Sequence, residues 1–371
     1  MLIPKDDFIG LDDVIHLATG GESPVLRSHQ EAVNRFFTDK VTGEAGREQM
    51  AAVQQACAQK AAQLLAVNAD EITFLNHASE GINLIAHALE WEPGDNVVVA
   101  DVEFPSDVLP WTRLEAQGVE VRIVRHRGWQ ITLEDIQQQI DDRTRVAAIS
   151  YVSYYTGQRQ DLPALAAAVH ESDALLVLDA THAAGAVPVD AYHADIVVSS
   201  CYKWLLGVHG AAIFYWNRTR LPDLQPPFLG WNTADSGPEW QAPTFFTPKP
   251  DANRFLPGNP SFISLYVLEN ALEHLLRLGR ETIEAHVLQL SGLVWEGLTA
   301  QGWEVMTPQA PEHRAGNVCI LPPNPEVLCS MLADQKILVW GGSRVRISTH
   351  LYNTAEDVSR LLKATHVYAS Q

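Results

Sequence analysis

The stretch Val197-Val198-Ser199-Ser200-Cys201-Tyr202-Lys203-Trp204-Leu205-Leu206-Gly207 places a lysine directly after an apolar run typical of a β-strand. A second apolar run at 211–216 follows closely, so Lys203 is expected on a short connector between two buried strands. Burial without a partner disfavours the charged form of a lysine. Such a lysine suits Schiff-base chemistry, whereas the ordinary alternative is a strand-end lysine whose ammonium group reaches water.

Length and composition predict a globular chain with two lobes, because 371 residues exceed the usual size of one core. The formal net charge of −19 argues against nucleic-acid partners and anionic membrane surfaces. Four widely spaced cysteines without a CxxC pair predict neither a metal site nor a disulfide framework. They are typical of a reducing, cytoplasmic compartment, and the first residues lack the pattern of a signal peptide.

Apolar strands alternate with helical segments through the middle of the chain. The predicted strands are 72–75, 96–102, 119–124, 145–151, 175–178, 196–199 and 211–215. Continuous apolar strands separated by helices indicate a mainly parallel sheet covered on both faces, with ligands at the carboxyl ends of the strands. Polar and aromatic residues follow those ends: Asn76, His77, Glu103, Phe104, Ser153, Tyr154, Asp179, His182, Ser200 and Lys203.

The flanking regions predict an N-terminal arm at 1–15, a large domain at 16–255 and a small domain at 256–371 that begins with a long connecting helix at about 262–299. A Pro-rich loop at 221–252 carries four aromatic residues that are expected to form a wall beside the substrate: Trp231, Trp240, Phe245 and Phe246.

Asp179 ends an apolar run one predicted crossover before Lys203. A carboxylate buried there is costly unless a cation pairs with it. The protonated ring nitrogen of pyridoxal phosphate (PLP) is such a cation, and this cofactor also needs a lysine. Ala78 and Ser79 open a predicted helix, with Ser79 as its N-cap, and a helix N-terminus can bind phosphate. These features together predict a PLP site.

The chain resembles the class V aminotransferases, a family of fold-type-I PLP enzymes that contains cysteine desulfurases, selenocysteine lyases, kynureninases and isopenicillin N epimerase. The matching motifs are Asp179-Ala180-Thr181-His182, Ser200-Cys201-Tyr202-Lys203, Arg254-Phe255-Leu256-Pro257-Gly258-Asn259-Pro260 and Arg346-Ile347-Ser348-Thr349. The resemblance implies an α/β fold, in which the large domain has a mainly parallel seven-stranded sheet and the C-terminal domain is smaller and α+β. It also implies a homodimer with a shared active site.

The resemblance assigns a role to each matching residue. Lys203 matches the catalytic lysine that holds the cofactor, and Asp179 matches the partner of the ring nitrogen. The other residues that the resemblance places around the cofactor are Ala78, Ser79, Ser200 and Tyr202 at the phosphate, Phe104 on the ring, His182 and Tyr154 near the phenolic oxygen, and Asn259 at the phosphate of a neighbouring subunit.

Substrate binding is expected at Arg346, which matches the arginine that grips the substrate carboxylate, and at Trp231 in the Pro-rich loop. A planar guanidinium suits bidentate recognition of a carboxylate. The expected substrate is therefore a small amino acid.

Departures from the family pattern shape the expected reaction. Tyr154 stands where much of the family has Asn, and Tyr202 replaces a common His. The segment at 335–343 has no cysteine where desulfurases carry their persulfide-forming residue, so we expect a transaminase or Cβ–S lyase and not a persulfide-forming desulfurase. The alternatives are an epimerase of the isopenicillin N epimerase type and a non-catalytic PLP-binding protein. A dinucleotide-binding Rossmann enzyme is opposed by the lack of GxGxxG after a first strand.

Overall fold

The apolar runs that predict strands form the centre of the fold. A computed structural model of the chain describes residues 1–235 and 246–369. Its strands are β1 (Ile15–His16), β2 (Ile72–Leu75), β3 (Asn96–Ala100), β4 (Glu120–Val124), β5 (Thr144–Ser150), β6 (Leu175–Asp179), β7 (Ile196–Ser200), β8 (Ala212–Trp216), β9 (Ala234–Asp235), β10 (Thr247–Pro248), β11 (Asn317–Ile320), β12 (Ile337–Leu338) and β13 (Val345–Ser348).

In sequence, the helices lie between these strands, and the last helix follows β13. They are α1 (Ser28–Lys40), α2 (Glu44–Leu65), α3 (Ala78–Ala88), α4 (Pro105–Thr112), α5 (Leu133–Gln137), α6 (Leu162–His170), α7 (Phe262–Leu278), α8 (Arg280–Ala300), α9 (Pro325–Asp334) and α10 (Ala355–Ala369). The prediction of one long helix at 262–299 is wrong, because Gly279 has a φ of 84° and separates α7 from α8.

The main sheet has seven strands in the order β2-β8-β7-β6-β5-β3-β4, which confirms the prediction of an α/β fold with a mainly parallel seven-stranded sheet. The five strands from β7 to β4 pair in parallel, whereas β8 runs antiparallel to both of its neighbours. The register aligns Leu75, Ala212 and Ser200 across three strands, and Ser150 pairs with Asp179. The carboxyl ends of β2, β5, β6 and β7 therefore meet at one edge.

Two apolar layers cover the sheet. One face packs under α2, α6 and α7, and the other packs under α3 and α4. Strands β3, β7 and β8 are buried along their whole length, as the uninterrupted Val97-Val98-Val99 run of β3 predicts for a central parallel strand.

A third apolar cluster forms the core of the C-terminal lobe, between α8, α9, α10 and the antiparallel pair β11–β13. The short strand β1 pairs with β12, and Leu17 donates its N–H to Leu338 O, so the N-terminal segment joins this lobe. Over residues 1–235 and 246–369, no helix has the length and apolarity needed to cross a bilayer.

Candidate active site

Lys203 lies on the turn between β7 and β8, at the edge where the parallel strands end. Its side chain is buried, and burial together with the positive charge of Arg346 lowers the pKa of Lys203 to about 8. The carboxylates of Asp179 and Asp107 partly oppose that shift. The lysine therefore has a substantial neutral fraction near neutral pH, which is the form that a Schiff-base nucleophile needs.

A hydrogen-bond chain also favours the neutral form of Lys203. The Ser348 hydroxyl donates to Asn317 Oδ1 at 2.8 Å, and Asn317 Nδ2 donates to His182 Nδ1 at 2.9 Å. Burial holds the pKa of His182 well below its usual value, so the ring is neutral, and because Nδ1 accepts the Asn317 N–H its proton is on Nε2. When Lys203 is neutral, its Nζ, 3.1 Å away, accepts that N–H with its lone pair.

Three carboxyl groups surround the end of β6. Asp179 Oδ1 accepts a hydrogen bond from Thr181 N at 2.7 Å. Glu103 accepts hydrogen bonds from the backbone N–H and the hydroxyl of Ser150, and burial raises its pKa. Burial and the negative charge of Asp179 raise the pKa of Asp107 well above its usual value. Asp107 and Glu103 thus take up protons more readily than ordinary carboxyl groups, and both Asp179 and Asp107 line the cavity.

The N-terminus of α3 lies beside the end of β7 and forms a cradle of polar groups. Ala78 N donates to Ser200 Oγ at 3.2 Å, and Ser79 Oγ donates to Ser106 Oγ at 2.7 Å. The prediction of Ser79 as N-cap is wrong, since His77 is the cap and its Nδ1 accepts the N–H of Glu80 at 3.0 Å. This leaves the hydroxyl of Ser79 in the first turn, where it can bind a phosphate oxygen together with the helix N-terminus.

Aromatic rings enclose the space above Lys203 Nζ. The centroid of the Phe104 ring is 5.8 Å from this atom and that of Tyr202 is 5.5 Å from it. Phe104 meets Tyr154 edge to face at 5.2 Å, and Tyr202 stacks on His209 at 4.1 Å. Phe104 remains 42% exposed, so its face is available to a planar ring.

One cavity brings most of the predicted cofactor residues together. The predicted residues that line it are Ala78, Ser79, Phe104, Tyr154, Asp179, His182, Ser200, Tyr202 and Lys203. Arg346 lies next to this cavity, where its Nη1 donates to Tyr154 O at 3.0 Å.

Two other predicted residues lie outside the cavity wall. Asn259 Oδ1 accepts a hydrogen bond from Arg47 Nη2, and Arg47 also lies 5.8 Å from the ring centroid of Trp231. Asn259 and Trp231 therefore share a surface site on Arg47, and their predicted roles stay predictions. Of the predicted aromatic wall, Phe246 is exposed, whereas Trp240 and Phe245 fall outside the described residues.

Sequence reasoning missed three polar residues around this site. Asp107 is a buried acid in the first turn of α4, and its position inside an apolar segment is a signal that the sequence offers. Arg344 precedes Arg346 by two positions, a spacing that places both on the same face of an extended strand. Asn317 gives no comparable signal, because folding alone brings it to His182 across 135 positions.

The residues present suit PLP. A lysine with a lowered pKa, a carboxylate, an exposed aromatic face and a helix N-terminus with two hydroxyls converge on one cavity. The sheet topology and these groups define a PLP-dependent enzyme of fold type I. The sequence model of aminotransferase class V matches residues 23–361, and the chain belongs to that family. PLP is its cofactor.

Relatives of known name include desulfurases. The chain is 29% identical over 320 residues to the cysteine desulfurase of Salmonella newport, a match that covers 80% of this chain and 77% of the relative. It is 26% identical to a probable cysteine desulfurase of Pyrococcus abyssi, covering 98% and 96%, and 26% identical to the uncharacterized aminotransferase YcbU of Bacillus subtilis, covering 80% and 79%.

Solved structures share the fold over nearly the whole chain. The apo cysteine desulfurase of Thermococcus onnurineus superposes with a TM-score of 0.90 at 22% identity, covering 100% of this chain and 99% of that one. The cystine C-S lyase C-DES, in complex with its product cysteine persulfide, superposes with a TM-score of 0.89 at 20% identity, covering 97% and 99%.

These relatives overturn one expectation. The exclusion of a persulfide-forming desulfurase is wrong, because the relatives and similar structures include proteins named cysteine desulfurase. That exclusion relied on the missing cysteine at 335–343, and a cysteine can reach this segment through folding. A Cβ placed on Gly341 would lie 2.9 Å from Cys329 Sγ, so the thiol of α9 packs directly against the segment.

Proposed function

We propose that this protein is a PLP-dependent cysteine desulfurase. It would break the C–S bond of L-cysteine, pass the sulfur to an acceptor thiol as a persulfide, and leave L-alanine. The acceptor thiol supplies the second sulfur of the persulfide, and L-alanine carries the hydrogens that balance the reaction. The observation that carries the proposal is the buried Lys203, held at 3.1 Å from His182, in a chain whose named relatives include cysteine desulfurases.

Lys203 is the proposed proton carrier. Bound PLP supplies an electron sink for the charge that develops at the substrate Cα. Asp179 would hold the ring nitrogen protonated, and the α3 cradle at Ala78 and Ser79 would hold the phosphate. Lys203 Nζ would take the proton from the substrate Cα, because its lowered pKa leaves part of it neutral, and therefore basic, near neutral pH.

Arg346 is the proposed clamp for the substrate α-carboxylate. It is buried beside the cavity, and burial lowers its pKa to about 10, so the side chain stays charged at neutral pH. Among the described residues the N–H of its Nε has no hydrogen-bond partner, and Gly20 packs so closely that a Cβ there would lie 2.8 Å from that atom. A carboxylate bound at the guanidinium would offset a buried charge.

Cys329 is the proposed sulfur acceptor within the chain. The other three cysteines, Cys57, Cys201 and Cys319, are fully buried, whereas Cys329 is partly exposed and packs against Gly341. Burial raises the pKa of the Cys329 thiol, so this acceptor would need deprotonation before it receives sulfur.

We also propose a cytoplasmic homodimer with an arm at 1–15, a PLP-binding domain at 16–255 and a small domain at 256–371. The separate apolar core of the C-terminal lobe supports this division, although β1 packs with that lobe. The exposed rings of Phe37, Phe228 and Trp231, the last beside Asn259 and Arg47, support a subunit contact near the site. Four free thiols suit a reducing compartment.

The proposal is tested with PLP-loaded protein, L-cysteine and dithiothreitol. Alanine and sulfide should form in equal amounts, and Lys203→Ala should form neither. Without reductant, alkylation and mass spectrometry should find the persulfide on Cys329, and Cys329→Ser should lack it while Cys57→Ser keeps it. Pyruvate and ammonia in place of alanine would instead assign the protein to β-elimination and overturn the proposal.

A further inference from the structure

Two arginines are buried side by side next to the cavity. Arg344 Nη2 and Arg346 Nη1 both donate to the carbonyl oxygen of Tyr154, at 2.7 and 3.0 Å. Arg344 is 8% exposed and Arg346 is 4% exposed. Two like charges so close repel each other, and both have lost most of their hydration, so their burial is costly unless negative charge is supplied.

The chain itself does not supply that charge. Within residues 1–235 and 246–369, neither guanidinium lies within 4.0 Å of a carboxylate, and both Nε–H groups are buried without a hydrogen-bond partner. The thiol of Cys319 is an acidic group close to both arginines, and its residue lies opposite Arg346 in the pairing of β11 with β13. Burial raises the pKa of that thiol, so it stays protonated and leaves both positive charges uncompensated.

Arg344 is held beside the cavity wall by two aromatic rings. Its guanidinium lies over the ring of Tyr155 at 3.9 Å and over that of Tyr154 at 4.9 Å, and Tyr154 lines the cavity. The positive charges of Arg346 and Arg344 both help to lower the pKa of His182, which contacts Lys203. Arg344 therefore acts electrostatically on the same space as Arg346, with its planar group fixed by stacking.

We propose that Arg344 forms a subsite for a second carboxylate of the substrate. The inference builds on the proposed function: Arg346 takes the α-carboxylate, and Arg344 takes an acidic group attached through the sulfur. Besides L-cysteine, which gives a persulfide, the preferred substrate is thus a cysteine thioether that carries a second carboxylate. The acceptor thiol would bond to the sulfur, which keeps its acidic substituent and forms a disulfide, while the Cβ–S bond breaks and L-alanine leaves. The guanidinium of Arg344 determines specificity, and the breaking C–S bond lies between the two carboxylates.

The test uses PLP-loaded protein and a ligand pair that differs by one charge. Glutarate and its monoamide have almost the same shape, and neither has an amine to react, so isothermal titration measures the subsite without turnover. Glutarate should bind at least about tenfold more tightly than the monoamide to the wild type. This preference should vanish in Arg344→Gln and persist in reduced form in Arg344→Lys, which keeps a charge without the planar fork.

A matched control removes a buried arginine elsewhere. Arg314 is 7% exposed and donates to Gln309 O in the C-terminal lobe, so Arg314→Gln should keep the full glutarate preference. Circular dichroism and the PLP content of each variant report folding. An Arg344→Gln protein that is folded, holds PLP and still prefers glutarate by the wild-type factor would overturn the subsite.

A second arm separates this inference from the proposed function. S-carboxymethyl-L-cysteine and S-carbamidomethyl-L-cysteine differ in the same way as the two glutarate ligands. If the subsite is correct, the acid should have the lower KM and Arg344→Gln should equalise the two KM values. Loss of all turnover together with an intact glutarate preference would contradict the proposed reaction and leave the subsite standing. Turnover with no preference in either arm would overturn the subsite alone.

Discussion

The ionisation of Lys203 before it binds PLP is a sharp quantitative consequence of the site. An ordinary lysine has a pKa of 10.5, and burial beside Arg346 lowers that of Lys203 to about 8. At pH 7 the neutral fraction therefore rises from about 0.03% to about 9%, roughly a 300-fold gain in the reactive form. In the apoprotein, Lys203 should therefore react much faster near neutral pH than an ordinary lysine does.

The assay is pulse labelling of the apoprotein with a small acylating reagent from pH 6 to pH 11, followed by peptide mass spectrometry. The labelling rate of Lys203 should rise with a midpoint near pH 8, whereas a free lysine amide measured in parallel should follow its ordinary pKa. A Lys203 midpoint at pH 10 or above would refute the reasoning, since it would mean that burial does not disfavour the charged form of this lysine.

Charge removal provides the internal check. The positive charge of Arg346 lowers the pKa of Lys203, so Arg346→Gln should raise the labelling midpoint. Arg314→Gln deletes a buried arginine in the C-terminal lobe and should leave the midpoint unchanged. Equal midpoints in all three proteins would show that desolvation acts alone and that Arg346 is too well screened to matter.

Three further outcomes follow from buried groups. Lys203→Met should stabilise the apoprotein at pH 7 by at most about 3 kcal/mol in urea unfolding, because the cost of a lowered lysine pKa is fully present below pH 8 and disappears above pH 10.5. Gly185→Ala should lower the free energy of unfolding by about 2–4 kcal/mol, because φ is +91° and the new Cβ would lie 2.3 Å from Trp204 O. Gly10→Ala, at φ +79° in open space, should lower it by only about 1 kcal/mol, and equal losses would contradict this expectation. Asp195→Asn should lower the free energy of unfolding by about 2–3 kcal/mol at pH 7. Hydrogen bonds and Arg220 lower the pKa of Asp195, so the difference in stability from wild type should shrink as the pH falls below about 4. A stability difference that does not change with pH would contradict this expectation.

The sequence was sufficient to predict the sheet and the residues that follow its strands. Apolar runs of five residues or so predict central strands, and the parallel arrangement brings their carboxyl ends to one edge. For that reason the pattern of the sequence alone predicts Asp179, Ser200 and Lys203 in one site, and all three line the same cavity. The break between α7 and α8 was missed because Gly279 lies within a continuous helical pattern.

What the sequence could not provide were contacts between distant segments. Asn317 orients His182 from 135 positions away, and no local pattern links them. The interpretation of the segment at 335–343 failed for the same reason, because Cys329 reaches Gly341 through the packing of α9 and not through sequence position. Arg344 is the opposite case: its spacing from Arg346 was visible, but its missing counter-charge appears only once the fold is known.

Covalent attachment of PLP tests the central claim most directly. PLP-loaded protein is reduced with borohydride, digested and mapped by mass spectrometry, with Lys203→Ala treated in parallel. One PLP adduct per chain is expected, on the peptide that contains Ser200, Tyr202 and Lys203, and none in the variant. An adduct on another lysine, or a wild-type protein that binds no PLP at all, would contradict it.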